Sequence, residues 1–250
     1  VRYLLANGLP FATHGRTAVV AFQQAMNDTV DEVIAVAAAE GIEADIVKGG
    51  EFTVARTPAQ VARMRAFHAS ESLWPHSGIE LLGADEANDR IAIDGALGAT
   101  WQPHCARLHP AKLARGLAAV VESLGVTIHE DTTVTAIGPG TVHTDRGIVR
   151  APAIVRATEG FTANLPAEHR TWLPMNSSMI VTEPLPAAVW DELHWSKGEV
   201  LGDYAHVYMY AQRTADDRIA FGGRGVPYRY GSRVDTDGVT QERTIEALTG

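Results

Sequence analysis

Cysteine is almost missing from this chain. Cys105 is the one cysteine in 250 residues, so no intramolecular disulfide can form, and a reducing, cytoplasmic setting fits. Basic residues are also short: 21 Lys and Arg stand against 30 Asp and Glu, for a formal net charge of -9. No basic stripe appears, so nucleic acid is not an expected partner. No apolar run approaches the ~20 residues that cross a bilayer, so no membrane span is expected. No charged start, apolar core and cleavage site follow one another, so the sequence shows no secretory signal. Several chemical signatures are missing as well. There is no Gly-x-Ser-x-Gly, no P-loop, and no Gly-x-Gly-x-x-Gly after a strand. His104, Cys105 and His109 lack the spacing of three or four metal ligands. Cys105 beside a histidine on a strand would point to the opposite face from it, which weakens a nucleophile reading.

What is present is an ordinary globular composition, 46% hydrophobic and 20% charged. The length allows one large domain or two interleaved ones. Thr17 to Glu40 carries a helical stripe of Val19, Phe22, Met26, Val30, Val33, Ile34 and Ala37, closed by Gly41. Ile46 to Ala55 reads as two short strands hinged at Gly49-Gly50, and Thr57-Pro58 as a helix start. Ile91 to Trp101 is a Gly-interrupted β region. After residue 160 strands dominate: Met175 to Thr182, Asp203 to Arg213 and Ile219 to Arg224, the last two joined as a hairpin by Thr214 to Arg218. Helices and strands alternate first and strands then prevail, which predicts a mixed α/β fold of two intertwined lobes. Val1 starts the chain in place of Met and a helix over 240–248 nearly ends it, so it reads as the middle of a longer protein.

The stretch from Leu108 to Gly160 is the most informative. Leu113, Leu117, Val120, Val121 and Leu124 recur at helical spacing, with Gly125 at the C-cap position. A strand is expected at Val126 to His129, then three short strands at Val134 to Ile137, Thr141 to Thr144 and Gly147 to Val149. The apolar run Ala153 to Ala157 predicts a buried strand that stops at Thr158, Glu159 and Gly160. In open α/β sheets ligands sit off the carboxyl ends of strands, so a cofactor is expected there; an ordinary α/β layer with a tight turn is the alternative.

A second constellation lies on Asp203 to Arg213. Read at period two, Tyr204, His206, Tyr208 and Tyr210 share one face, and Ala205, Val207, Met209 and Ala211 the other. A row of rings with polar tips suits a pocket for a cationic amine or an amino acid, or else a sheet face whose tyrosines reach solvent. Gly222-Gly223 in the partner strand implies close backbone approach. Arg224 beyond it could clamp a carboxylate, or serve in a surface ion pair.

The residues Leu108-His109-Pro110-Ala111-Lys112-Leu113, Gly125 to Ile128, Thr133 to Ile137, Ile154 to Gly160, Val181 to Leu185 and Arg218 to Gly223 together carry a resemblance. The chain resembles the D-amino-acid oxidase-like family of FAD-dependent oxidoreductases, which includes glycine, sarcosine and γ-glutamylputrescine oxidases, the last being the most alike. The resemblance implies an FAD-binding α/β lobe interleaved with an antiparallel-sheet substrate lobe. Residues 1–45 would be a helical part of the FAD lobe and 108–160 its main part, with 46–107 and 161–250 forming the substrate lobe. It implies FAD as cofactor, held by Val134 near the adenine and by Thr158, Glu159 and Gly160 near the pyrophosphate. It also implies that Tyr208, Tyr210 and Arg224 face the substrate, a small-molecule amine or amino acid whose C–N bond is oxidised by hydride transfer to flavin. The alternative is a non-catalytic α/β binding module. The family's Gly-x-Gly-x-x-Gly and its C-terminal closing segment are absent from the 250 residues.

Overall fold

A computed structural model describes residues 9–223, then 228, 230–231, 233, 239–240 and 242–249. The chain divides into two compact units, one of Val1–Val120 with Ile180–Gly222 and one of Val121–Met179 with Gly223–Gly250. Packing therefore separates the chain at 120, 179 and 222, whereas the sequence reading divided it after 45, 107 and 160. Residues 1–45 cluster with 46–107.

The first unit is built on a mixed sheet of seven strands in the order β2-β3-β1-β8-β9-β10-β7. These are β1 (Glu51–Ala55), β2 (Glu80–Leu82), β3 (Gly98–Gln102), β7 (Ser178–Val181), β8 (Val200–Asp203), β9 (Met209–Arg213) and β10 (Ile219–Gly223). The central strand β1 runs antiparallel to β3 and parallel to β8. Alternation along β1 assigns the two faces. Phe52 pairs with Trp101 and Leu201, and Val54 with Ala99, so these side chains share one side. That side is the core, where Phe52, Val54, Ala99, Leu201 and Ala211 meet Ala87, Ile91, Trp190 and Trp195. Burying each large apolar side chain contributes roughly 1.5–3 kcal/mol. On the other side Glu51 pairs with Gln102, Thr53 with Thr100 and Gly202, and Gly202 with Tyr210. This second face is polar.

Helices flank the sheet. α1 (Leu9–Ala39) is broken at Gly15, whose φ of 77° is open to glycine. Val19 and Ala37 of its predicted stripe are buried, while Phe22 and Val33 are exposed. α2 (Pro58–Glu71) starts as its sequence implies, with the Thr57 hydroxyl accepting from Gln60 N at 3.2 Å and Pro58 in the first turn. α3 (Ala84–Arg90) and α5 (Ala187–Leu193) supply Ala87 and Trp190 to the core. Arg90, the last residue of α3, pairs at 3.1 Å with Glu199, which is fully buried, and stacks 4.1 Å from the Trp101 ring centre. α4 (Pro110–Ser123) ends before Gly125, which has a φ of 90°.

In the second unit β4 (Val134–Gly138), β5 (Thr141–Thr144) and β6 (Ile148–Arg150) form the expected antiparallel meander. The turn at 145–147 is held by the Thr144 hydroxyl, which accepts from Arg146 N and Gly147 N. Two expectations fail here. Neither Val126 to His129 nor Ala153 to Ala157 is a strand among the described residues, and Val155 is 90% exposed. A strand needs a neighbour to take its backbone hydrogen bonds, and no described strand pairs with either segment. Apolar patterning reported a capacity for burial, not a partner. α6 (Glu242–Thr249) closes the described residues.

Candidate functional site

The predicted tyrosine strand is corrected by the structure. Asp203 to Arg213 is not one strand but β8, a connection over 204–208, and β9. The Asp203 carboxylate makes the break, since its Oδ1 accepts from Ala205 N at 3.2 Å and Met209 N at 3.3 Å. A short acidic side chain that bonds its own backbone offers the chain a turn in place of a ladder. Tyr204, His206, Tyr208 and Tyr210 therefore do not form a row on one strand face. His206 leaves to pair with Arg63 (3.3 Å), and Arg63 Nε donates to the Tyr204 carbonyl at 2.7 Å.

Three of the tyrosines still meet at one cavity, by loop geometry. Tyr210 lies on β9 with its ring against Gly222 of β10: a methyl group built on Gly222 would come 2.3 Å from the ring. Tyr208, 41% exposed, has its ring centre 6.4 Å from that of Tyr210. Tyr204 shares a 2.7 Å hydrogen bond with the Thr100 hydroxyl, and its ring centre is 6.1 Å from Phe67 of α2. The cavity occupies about 540 Å³ over the polar face of the sheet, a size that suits a small molecule. Glu51 and Thr53 of β1 and Asp203 also line it, beside Val200, Leu201 and Met209. Glu51, Thr53 and Phe67 had escaped the sequence reading. The signal for the first two was present in the alternation Glu51, Thr53 against Phe52, Val54, beside Gly49-Gly50. Arg224 lies outside the described residues.

A second cavity of about 580 Å³ belongs to the second unit. Thr158, Glu159 and Gly160 line it with Arg156, Thr162 and the segment Trp172 to Met175. Glu159 to Asn164 is a short 3-10 helix, with Glu159 at a φ of 45°. The carboxylate of Glu159 accepts from Gly160 N, and Thr158 and Thr162 hydroxyls are 2.7 Å apart. Arg156 pairs with Glu168 at 2.6 Å. The Thr171 hydroxyl first, and then Arg156, hold the Glu168 carboxyl below its usual range. Val134, which starts β4, is not among the residues lining this cavity. Trp172 is a lining ring that no sequence pattern had marked.

Comparison with known proteins decides the family. The model of the FAD dependent oxidoreductase family, DAO, matches residues 4–249. The chain belongs to this family. A relative in Haemophilus influenzae, named "Probable oxidoreductase OrdL", is 28% identical over 162 residues, covering 61% of this chain and 37% of the relative. Among solved structures, glycine oxidase from Bacillus cereus superposes with a TM-score of 0.72 at 16% identity, over 90% of this chain and 60% of that one. L-proline dehydrogenase from P. horikoshii gives 0.70 at 16% identity, over 90% and 59%. These likenesses establish the mixed α/β fold. The chain spans 37% of the length of the Haemophilus relative and about 60% of the two solved structures. No helix of the described residues is long and apolar enough to cross a membrane.

Proposed function

We propose that the full-length protein oxidises the C–N bond of a small amine or amino acid with FAD. The observation that carries this reading is the aromatic-walled cavity on the polar face of the sheet, in a chain that matches an FAD-dependent family along nearly its whole length. Solved relatives of the same fold include a glycine oxidase and an iminodiacetate oxidase.

Tyr208 and Tyr210 wall the substrate, their ring faces favouring an amine and their hydroxyls orienting it. Arg224 holds a carboxylate where the substrate has one. On the cofactor side, the second-unit cavity fits a nucleotide by its chemistry. It offers a guanidinium at Arg156, hydroxyls at Thr158 and Thr162, a carboxylate acceptor for ribose hydroxyls at Glu159, and an indole ring at Trp172. Thr158, Glu159 and Gly160 would hold FAD there, while Val134, which does not line that cavity, would contribute backbone contacts near the adenine. The bound flavin supplies a two-electron acceptor for the hydride on the carbon next to nitrogen. The resulting imine is hydrolysed by water. Loss of hydride from a neutral amine calls for no protein base, so none is assigned. A cytoplasmic setting belongs to the same reading and is supported by the single cysteine.

The test is spectroscopic. The purified full-length protein should be yellow, and a panel of amines and amino acids should bleach its flavin absorbance without added oxygen. A colourless full-length protein that takes up no FAD would return the chain to the non-catalytic binding module.

A further inference from the structure

The connection over 204–208 brings Tyr204 and Tyr208 to the first-unit cavity without being a strand. Its start is fixed to the sheet and to α2. Tyr204 N donates to the Val54 carbonyl at 3.1 Å, its hydroxyl lies 2.7 Å from that of Thr100, which is 1% exposed, and its ring meets Phe67. The tip is different. His206, Val207 and Tyr208 are all exposed, Val207 by 69%, so burial does little to order them. A segment with little buried apolar contact opens locally unless polar ties hold it.

Arg63 supplies such a tie from α2. It stands one turn before Phe67 on the same helix face. Its guanidinium donates through Nε to the Tyr204 carbonyl at 2.7 Å and through Nη1 to His206 Nε2 at 3.3 Å. One planar fork thus grips two acceptors on the loop, a match that the point charge of a lysine does not offer. We infer that Arg63 is a positioning residue for the aromatic wall: it sets where the 206–208 tip stands, and through the tip it keeps the Tyr208 ring beside Tyr210. The tip is then ordered before a substrate arrives, so the tie favours binding and leaves the chemical step alone. For the reaction, the inference rests on this cavity being the substrate side of the proposed function.

The experiment uses full-length, FAD-loaded protein and the amine or amino acid that bleaches the flavin fastest in the panel. Arg63→Met keeps the apolar stem and removes the fork. It should raise KM about 5- to 30-fold with kcat within about twofold of wild type. In a Tyr208→Ala background the same change should move KM by less than about twofold, because the ring it positions is gone. Chymotrypsin cleavage at Tyr208 should be about 10-fold faster in Arg63→Met than in wild type. An unchanged KM, a loss confined to kcat, or an equal rise in KM with and without the Tyr208 ring overturns the inference. If nothing in the panel bleaches the flavin, the proposed function fails, and cleavage alone then decides on Arg63: faster cutting supports the tie and an unchanged rate removes it. Should Arg63→Met not fold, His206→Ala at the exposed tip carries the test, with an expected rise in KM of about two- to fivefold. No rise there also overturns the inference.

Discussion

Gly222 is where the aromatic wall can be tested most directly. The Tyr210 ring lies where a side chain on Gly222 would stand, with Cε2 at 2.3 Å, Cζ at 2.5 Å and the hydroxyl oxygen at 2.8 Å from an added methyl. In Gly222→Ala the ring must therefore leave its seat. It is the far end of a side chain and half-buried, so it can swing outward, and the cost falls at the low end of overpacking, about 1 kcal/mol. With the ring removed, in Tyr210→Ala, the three atoms nearest to the added methyl of Gly222→Ala are gone. The Gly222→Ala change should then stabilise the strand by about 0.5–1 kcal/mol, because glycine in a strand interior is entropically costly. The two backgrounds thus differ by about 1.5–2 kcal/mol, a coupling well above the ~0.5 kcal/mol of independent sites. Urea unfolding of the four proteins in the cycle measures it. The single Gly222→Ala variant should also bind amines more weakly than wild type while keeping its far-ultraviolet circular dichroism. A coupling below ~0.5 kcal/mol would show that the ring does not rest on Gly222, and the wall argument would fall with it.

Other expectations follow from the same contacts. Arg90→Met leaves the fully buried Glu199 without its 3.1 Å partner, and should cost roughly 3–5 kcal/mol in chemical denaturation, with much of the loss recovered in Arg90→Met, Glu199→Met. Asp203→Ala removes the acceptor of two backbone N–H groups and should cost about 1–3 kcal/mol; it should also expose 204–208 to limited proteolysis, whereas Asp203→Asn, which keeps an oxygen acceptor, should resist. Burial, and next the Lys48 ammonium, hold His104 below its ordinary value of 6.5. The unfolded chain then takes up a proton that the folded one refuses, so stability is full above pH 6.5 and falls as pH drops from there toward the folded value. His104→Gln should flatten that slope, and an imidazole resonance titrating at or above 6.5 would contradict the assignment.

Local signals were read well where local chemistry decides the outcome. Thr57-Pro58 begins α2, Gly125 follows α4, and Gly138 to Gly140 with Asp145 to Gly147 turn the meander as their residue types dictate. Two of the failures share one cause, which is that a partner distant in sequence makes the decision. Val126 to His129 and Ala153 to Ala157 have strand-like composition, yet a strand exists only with a neighbour. The tyrosine row failed for the opposite reason: Asp203 bonds two backbone N–H groups ahead of it and ends the strand from within. An Asp at that point was a readable turn signal that the regular alternation of tyrosines obscured. Tyr208 and Tyr210 nonetheless reach one cavity, because the loop returns the chain beside the strand it left. The alternation put Glu51 and Thr53 on one face, and the register with Gln102 and, through Gly202, with Tyr210 shows that this is the face the tyrosines share.

The parallel pairing of β1 with β8 has a consequence for synthesis. The centre of the sheet joins Glu51 to Val200, and the contacts that accompany it, Arg63 with Tyr204 and Arg90 with Glu199, link residues 141 and 109 positions apart. A ribosome moving at about 5–20 residues per second needs several seconds or more to deliver β8 after β1 has emerged. Through that interval β1 and β3 can pair, but the β1 edge meant for β8 stays bare and apolar on one side. Long-range parallel pairing is slow even once the whole chain is available. The nascent chain therefore passes through a stage in which its most buried strand is its most adhesive.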